Sequence, residues 1–464
     1  MEHNRSQWSS NFGFLMAAIG SAVGLGNLWG FPYKMGANGG FPFLIIYLIM
    51  VILCGVVIVL CEMAIGRRTG KSPALAMAEF GKKYKFIGMF GILSAFIIMG
   101  FYSLLGGYTI RYCLAYIGDI FGASWGVAGA EGGAYFSALV SQPWVGLAFH
   151  AIFVIIATLV VMGGVEQGIE KFNKIAMPAL VVMLIIVAIR GLTLPGSSAG
   201  LDFMFKVDFS AISTPSGFFN VVRTAGTQML FSLSLGMGAI ITYGSYLSKK
   251  ESIVRNSWII PIADTIMAVL SGLAIFPAVF ALGIDPASGV GLMYQTLINV
   301  FNGMGAVGPF FGAIFYFLVF IAAITSGISL MEVVSSHLLD SQVAKGKPAN
   351  RKKVVALVGL AMIIIGIPVA FDQLGGGGLP QPLGLIWVDF YDFLSEGVMM
   401  PLGAALISLL VGWKWGKSGI LEDEITQCGN KFTGKGFFLF CTKYITPLLM
   451  IFVLITTALS FFGI

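Results

Sequence analysis

Eleven separate stretches of this 464-residue chain are apolar over about the length a helix needs to cross a bilayer, and nothing else restricts its fold so strongly. At 1.5 Å rise per residue, about 20 residues span a ~30 Å hydrocarbon core. The stretches are Phe12–Tyr33, Phe41–Ile65, Phe86–Tyr116, Trp144–Met162, Ile175–Leu192, Gly217–Leu247, Ile253–Leu282, Gly308–Leu339, Val354–Phe371, Leu385–Trp413 and Tyr444–Phe462. Backbone groups cannot bond to lipid, and runs this long suit helices rather than barrel strands. The expectation is an all-α polytopic membrane protein with 11 transmembrane helices. Charged residues make up only 10% of the chain, against roughly 25% in soluble domains, which excludes a water-soluble fold and a nucleic-acid partner. The partner implied is the lipid bilayer.

Basic residues in the connecting segments give the orientation. Arg67, Arg68, Lys71, Lys82, Lys83 and Lys85 follow the second stretch, Lys171 and Lys174 the fourth, and Lys249, Lys250 and Arg255 the sixth. Lys345, Lys347, Arg351, Lys352 and Lys353 follow the eighth, and Lys414, Lys417, Lys431, Lys435 and Lys443 the tenth. With Arg5, these are 22 of the 27 Lys and Arg residues. The amino terminus is expected in the cytoplasm and, after an odd number of crossings, the carboxyl terminus outside. The five cysteines offer no disulfide in an outer loop, and the single Asn-x-Ser/Thr sequon, at Asn4, falls on the cytoplasmic side. A bacterial inner membrane fits these features.

Two crossings carry their own interruption. Gly20, Gly24 and Gly26 fall within seven residues of the first, and Ser232-Leu233-Ser234-Leu235-Gly236-Met237-Gly238 occupies the centre of the sixth. Glycine costs about 1 kcal/mol relative to Ala in a helix interior, so both runs weaken the helix at mid-membrane depth. Each interrupted crossing is followed by four more. Five is odd, so the second set enters from the opposite face, which predicts an inverted repeat: 1–192 the first half, 193–216 an outer loop, 217–413 the second half, 414–464 a cytoplasmic loop and last helix. Paired interruptions at corresponding positions point to a midplane binding site. Inside the bilayer lie also Asp264, Glu62 and the Thr325-Ser326 pair. An ionised carboxylate there costs roughly 2.5–3.5 kcal/mol even on insertion scales, so Asp264 calls for a cation or a proton, whereas Glu62 can serve backbone N–H groups freed by a break.

At these residues the chain resembles the neurotransmitter:sodium symporter family, in its bacterial amino-acid transporter branch. The resemblance rests on Gly20-x-Ala22-Val23-Gly24-Leu25-Gly26-Asn27 with Phe31-Pro32, Asn38-Gly39-Gly40, Tyr102, Ser232-Leu233-Ser234-Leu235-Gly236, and Ala322-x-x-Thr325-Ser326. It implies two sodium ions. The first would meet Ala22, Asn27, Ser232 and Asp264, and the second Gly20, Val23, Ala322, Thr325 and Ser326. The substrate carboxylate would meet Leu25, Gly26 and Tyr102, and its amine Ala22, Phe231 and Ser234. The side chain would lie among Ile98, Tyr102, Phe231, Met237, Ser326 and Leu330. Arg5, Trp8, Ser245, Tyr246 and Asp340 would form an inner gate, closed by an Arg5–Asp340 pair. Gly168 and Pro178, with nine residues between them, match the family's motif for inner-side unwinding of the fifth crossing. Gly30 stands where many relatives place an outer-gate arginine, so an outer ion pair is expected to be missing although Asp392 is present.

The function implied is sodium-coupled import of a neutral hydrophobic or aromatic L-amino acid by alternating access. It needs no chloride, because Asp264 supplies a fixed negative charge, and a returning proton would give proton antiport. The alternatives are a proton-coupled permease of the same fold and an amino-acid-gated sensor or channel. An enzyme is not expected, because the three histidines form no cluster in sequence with a nucleophile. Oligomeric state and the preferred amino acid are not encoded in these features.

Overall fold

The computed structural model describes residues 7–281, 283 and 292–461. The long elements are α1 (Asn11–Ala22), α2 (Gly26–Ala37), α3 (Phe41–Thr69), α4 (Lys82–Ile120), α5 (Pro143–Met162), α6 (Val165–Leu192) and α7 (Pro215–Ser232). They continue with α8 (Ala239–Gly244), α9 (Ile253–Ala281), α10 (Gly305–Ala344), α11 (Arg351–Gly375), α12 (Trp387–Ser418) and α13 (Lys435–Phe461). No strand occurs among the described residues.

Nine of these helices are long and apolar enough to cross a membrane, and α1 with α2 makes a tenth crossing bent by 48°. The expected eleven is therefore not met by length and hydropathy alone. The sixth crossing is the one missing, because α7 and the six-residue α8 are separated by six non-helical residues. An eleventh crossing exists only if these two pieces are taken together. Between α9 and α10 the chain forms a further short helix, Leu297–Gly303.

The ends of the helices follow local chemistry. Ser10 caps α1 by accepting from Gly13 N–H, and Thr214 caps α7 by accepting from Gly217 N–H with Pro215 at the first position. Gly70, left-handed at φ +58°, stops α3. Lateral packing depends on small residues: a side chain at Gly107 of α4 would run into the backbone of Phe149 and His150 on α5, so the two helices touch main chain to main chain. Large apolar side chains on the periphery, such as Leu159, Ile175 and Leu448, stay about two-thirds exposed, which places them against lipid. On the basic face, buried Glu424 joins Arg67 (2.7 Å) and Lys249 (3.0 Å), fastening the loop after α12 to the inner end of α3 and to the segment after α8.

Candidate functional site

α1 ends at Ala22, where Val23 turns extended (ψ 100°) while its N–H still reaches Ile19, and helix resumes at Gly26. The break falls within the glycine-rich stretch expected from sequence. Carbonyls at the end of α1 and N–H groups at the start of α2 thus meet at one depth, presenting partial negative and partial positive charge side by side. In the second break Ser234 is left-handed at φ +53°, a conformation costing a non-glycine residue on the order of 1–3 kcal/mol. Its hydroxyl holds the position by donating to the Ser21 carbonyl at 2.8 Å, which ties the two breaks together. Gly236 and Gly238 take φ +75° and +80°, which only glycine adopts readily. Glu62 accepts from Gly236 N–H at 2.8 Å, the role its sequence position implied.

Between the breaks lies a buried cavity of about 20 Å³, lined by Ser21, Ala22, Gly24, Gly26, Ile98, Tyr102, Phe231, Ser234, Met237, Ser326 and Leu330. Nine of the ten residues expected to contact substrate line it. Leu25 does not: its N–H, expected to meet a carboxylate, donates instead to the Tyr102 hydroxyl at 3.2 Å. Ser21 and Gly24 are members the sequence reading missed, although both sit inside the motif it used. The cavity has room for about one water. Admitting anything larger requires Phe231 or Met237 to move, and Met, with three rotatable bonds, does so at low cost.

The polar residues expected to hold cations also converge. Asn27 Nδ2 donates to Asp264 Oδ1 (2.7 Å) and to the Asp264 carbonyl (3.1 Å), and Ser232 Oγ donates to Asp264 Oδ2 (2.8 Å). Tyr47 adds a third donor to that carboxylate at 3.3 Å. Asn27 Oδ1 accepts from Gly24 N–H at 3.1 Å, so the same side chain closes the turn of the break. In the second group Ser326 Oγ donates to the carbonyls of Ser21 (3.1 Å), Gly20 (3.4 Å) and Ala322 (3.4 Å), and Thr325 Oγ1 to Ala322 (2.9 Å). Val23 adjoins this group at the end of α1. To ligate a cation, Ser326 must rotate its hydrogen away and offer a lone pair. All these donors are hard oxygens without sulfur or imidazole, a set suited to an alkali cation.

Four of the five residues expected to form the inner gate, Trp8, Ser245, Tyr246 and Asp340, lie among the described residues. Arg5 lies outside the described residues, so its pairing with Asp340 is not visible; Asp340 accepts from Ser72 N–H at 2.7 Å. Trp8 is the plug. It is buried, donates from Nε1 to the Tyr243 carbonyl (2.9 Å) and packs edge-on against Phe14, Tyr243 and Tyr246. Tyr246 donates to Glu332 (2.7 Å), a buried carboxylate that Arg351 also grips at 2.5 Å. Sequence reading had counted Arg351 only as a loop cation and had not noticed Glu332. Ser245 Oγ donates within its own turn, to the Thr242 carbonyl at 2.5 Å.

Away from the basic loops, a vestibule of about 560 Å³ opens above the cavity, with Trp29, Lys34, Arg223, Asp392 and Glu396 in its wall. Phe231 lines both spaces, and its ring stands 6.5 Å from that of Tyr102. Gly30 rules out the family's arginine pair with Asp392, as expected, but another pair lies close by: Lys34 Nζ meets Glu396 Oε1 at 2.6 Å, joining α2 to α12. Both partners stand one helical turn beyond the positions considered, Gly30 and Asp392.

Two broken helices around a buried cavity, with stacked closures on either side, define a membrane carrier. The sequence profile of the sodium:neurotransmitter symporter family matches residues 5–125 and 145–463, and the chain belongs to that family. It is 34% identical over 461 residues to the uncharacterized sodium-dependent transporter YhdH of Bacillus subtilis (strain 168), covering 97% of each chain. An uncharacterized sodium-dependent transporter of Haemophilus influenzae is 32% identical, with 97% of this chain and 98% of that one covered. Among solved structures, a crystal structure of MhsT in complex with L-phenylalanine superposes with a TM-score of 0.86 at 36% identity, covering 98% of this chain and all of that one. The protein is a multi-pass, sodium-dependent membrane transporter and not an enzyme.

Proposed function

We propose that the chain imports a neutral hydrophobic or aromatic L-amino acid with two sodium ions as co-substrates, in a bacterial inner membrane and without chloride. The observation that carries this reading is the wall of the cavity. Its ends are polar (Gly26 backbone, Tyr102 hydroxyl, Ser234, Ser326) and its flank is Ile98, Phe231, Met237 and Leu330. A backbone-and-hydroxyl end suits the zwitterion common to all amino acids. A flank without acid or base penalises a charged side chain, since an unpaired buried charge is costly. A solved relative holding L-phenylalanine is consistent with that class.

The substrate carboxylate would complete the first cation site with Ala22, Asn27, Ser232 and Asp264, so sodium and substrate bind with reciprocal linkage. Asp264, with three side-chain donors on its carboxylate, supplies standing negative charge, which supports independence from chloride. In this reading the halves 1–192 and 217–413 are an inverted repeat that rocks about the cavity, with the amino terminus cytoplasmic. Lys34–Glu396 and Phe231 close the outer side; Trp8 and the Tyr246–Glu332–Arg351 set close the inner side.

Thermal-shift measurement of the purified protein with each of the twenty amino acids, in sodium chloride, choline chloride and sodium gluconate, tests the reading. Stabilisation by leucine, phenylalanine or tryptophan is expected in both sodium salts and not in choline. Equal stabilisation in choline that grows as pH falls would favour proton coupling through Asp264. A response to lysine or glutamate as strong as that to leucine would overturn the substrate class.

A further inference from the structure

The end of α12 and the start of α13 meet through two glycines and a lysine. A Cβ at Gly412 would lie 3.1 Å from Lys443 Cα, and one at Gly416 would lie 3.4 Å from Lys443 Cε, so the lysine side chain runs along the face these glycines leave open. Trp413, next to Gly412, donates from Nε1 to the Lys443 carbonyl at 3.2 Å, and its ring packs edge-on against Tyr444 at 5.6 Å. Two ammonium groups gather on that ring: Lys417 Nζ stands 4.9 Å from its centroid and Lys443 Nζ 6.0 Å. Among the described residues neither ammonium pairs with a carboxylate. The nearby acids in sequence are engaged elsewhere, Glu422 with Lys435 at 2.5 Å and Glu424 with Arg67 and Lys249. A track of exposed apolar and aromatic side chains, Phe440, Tyr444, Leu448, Ile451 and Ile455, leads from this cluster along one face of α13. At 1.5 Å rise per residue it is roughly 22 Å long, enough for an acyl chain.

Two like charges held over one ring repel each other, and an anion between them removes that cost. Where helices leave the bilayer, aromatic rings sit at headgroup depth and basic residues attract anionic lipid. We propose that Trp413, Lys417, Lys443 and Tyr444 hold the headgroup of an anionic phospholipid of the phosphatidylglycerol type. The two ammoniums take its phosphodiester oxygens, the rings lie beside its glycerol, and one acyl chain follows the exposed face of α13. A headgroup with its own ammonium, as in phosphatidylcholine, brings a third cation to a place that already holds two, so the site discriminates by repulsion as well as attraction. The bound lipid fastens the last turns of α12 to the start of α13.

Native mass spectrometry of the purified protein, titrated with phosphatidylglycerol or with phosphatidylcholine of the same acyl chains, tests the assignment. The wild type should bind the first phosphatidylglycerol at least fivefold more tightly than phosphatidylcholine. Lys417→Gln with Lys443→Gln should reduce that preference to within about twofold. Lys352→Gln with Lys353→Gln removes two exposed cations at the start of α11 and should leave the preference intact. Lys417→Gln alone, at an exposed position, should lose about half of it, which keeps the test decisive if the paired variant folds poorly. Absence of a preference in the wild type overturns the proposal. So does an equal loss in both paired variants, which marks a diffuse basic face rather than a site. Inorganic phosphate at the same concentration should fail to displace the lipid; displacement would reveal an anion site that needs no acyl chain and would overturn the lipid assignment.

Discussion

Substituting Gly24 by alanine places the account under the greatest strain, because one methyl group is set directly against both polar ends of the cavity. A Cβ at this position would lie 2.4 Å from Ser326 Oγ and 2.6 Å from the Tyr102 hydroxyl oxygen. Both separations are far inside van der Waals contact, and a methyl would take up most of a cavity of about 20 Å³ that has room for about one water. Gly24 does not have a left-handed φ, so the backbone itself accepts alanine and the effect is confined to the site. Overpacking costs about 1–3 kcal/mol. Displacing the Tyr102 hydroxyl from a carboxylate removes a charge-assisted hydrogen bond of about 1.5–3 kcal/mol. Together these predict a loss of roughly 60-fold or more in amino-acid affinity, at 1.4 kcal/mol per tenfold. Isothermal titration with L-phenylalanine in saturating sodium measures it, with Gly436→Ala as a control, since nothing lies within 4 Å of a Cβ there. A folded Gly24→Ala protein whose Kd stays within about threefold of wild type would refute the assignment of this cavity as the binding site.

Other perturbations separate the remaining parts. Tyr102→Phe removes only the hydroxyl and should weaken binding about ten- to a hundredfold; an unchanged Kd would take Tyr102 out of the site. Asp264→Asn removes the standing charge and should lower uptake, with partial recovery in chloride over gluconate; a variant equally active in both anions would contradict the charge argument. Lys34→Gln breaks a partly exposed pair worth on the order of 1 kcal/mol, so the outer side should open about fivefold more often. Alkylation of a cysteine placed at Thr227, in a background with the exposed Cys428 replaced by serine, reads that opening. An unaltered alkylation rate would show that Lys34–Glu396 does not gate the vestibule.

Much of this arrangement could be read in the sequence, and for local reasons. Three glycines in seven residues exceed what a helix tolerates, so the break after Ala22 announced itself, and Ser234 with Gly236 and Gly238 marked the second. The same second break hid a crossing from any test of helix length, since six residues of α8 cannot register as a span. The ion pairs were harder to see. Lys34 and Glu396 are 362 residues apart, and each sits one turn beyond a position already under scrutiny. The signal was present as a paired i+4 displacement on two helices, but only their spatial contact gives it meaning. Arg351 was hidden among the cations of a basic loop, and Glu332 among the apolar residues of α10; packing, not composition, joins them. The bond from Leu25 N–H to the Tyr102 hydroxyl is likewise a contact that no spacing rule reveals.

The most direct test of sodium-driven amino-acid transport is uphill accumulation by the purified protein in sealed liposomes. With sodium outside and choline inside, labelled L-phenylalanine should concentrate within the vesicles well above its outside level, equally in chloride and gluconate, and should leak back when the sodium gradient is dissipated. Entry that stops at equal concentrations, or accumulation that persists with choline on both sides, would contradict the account.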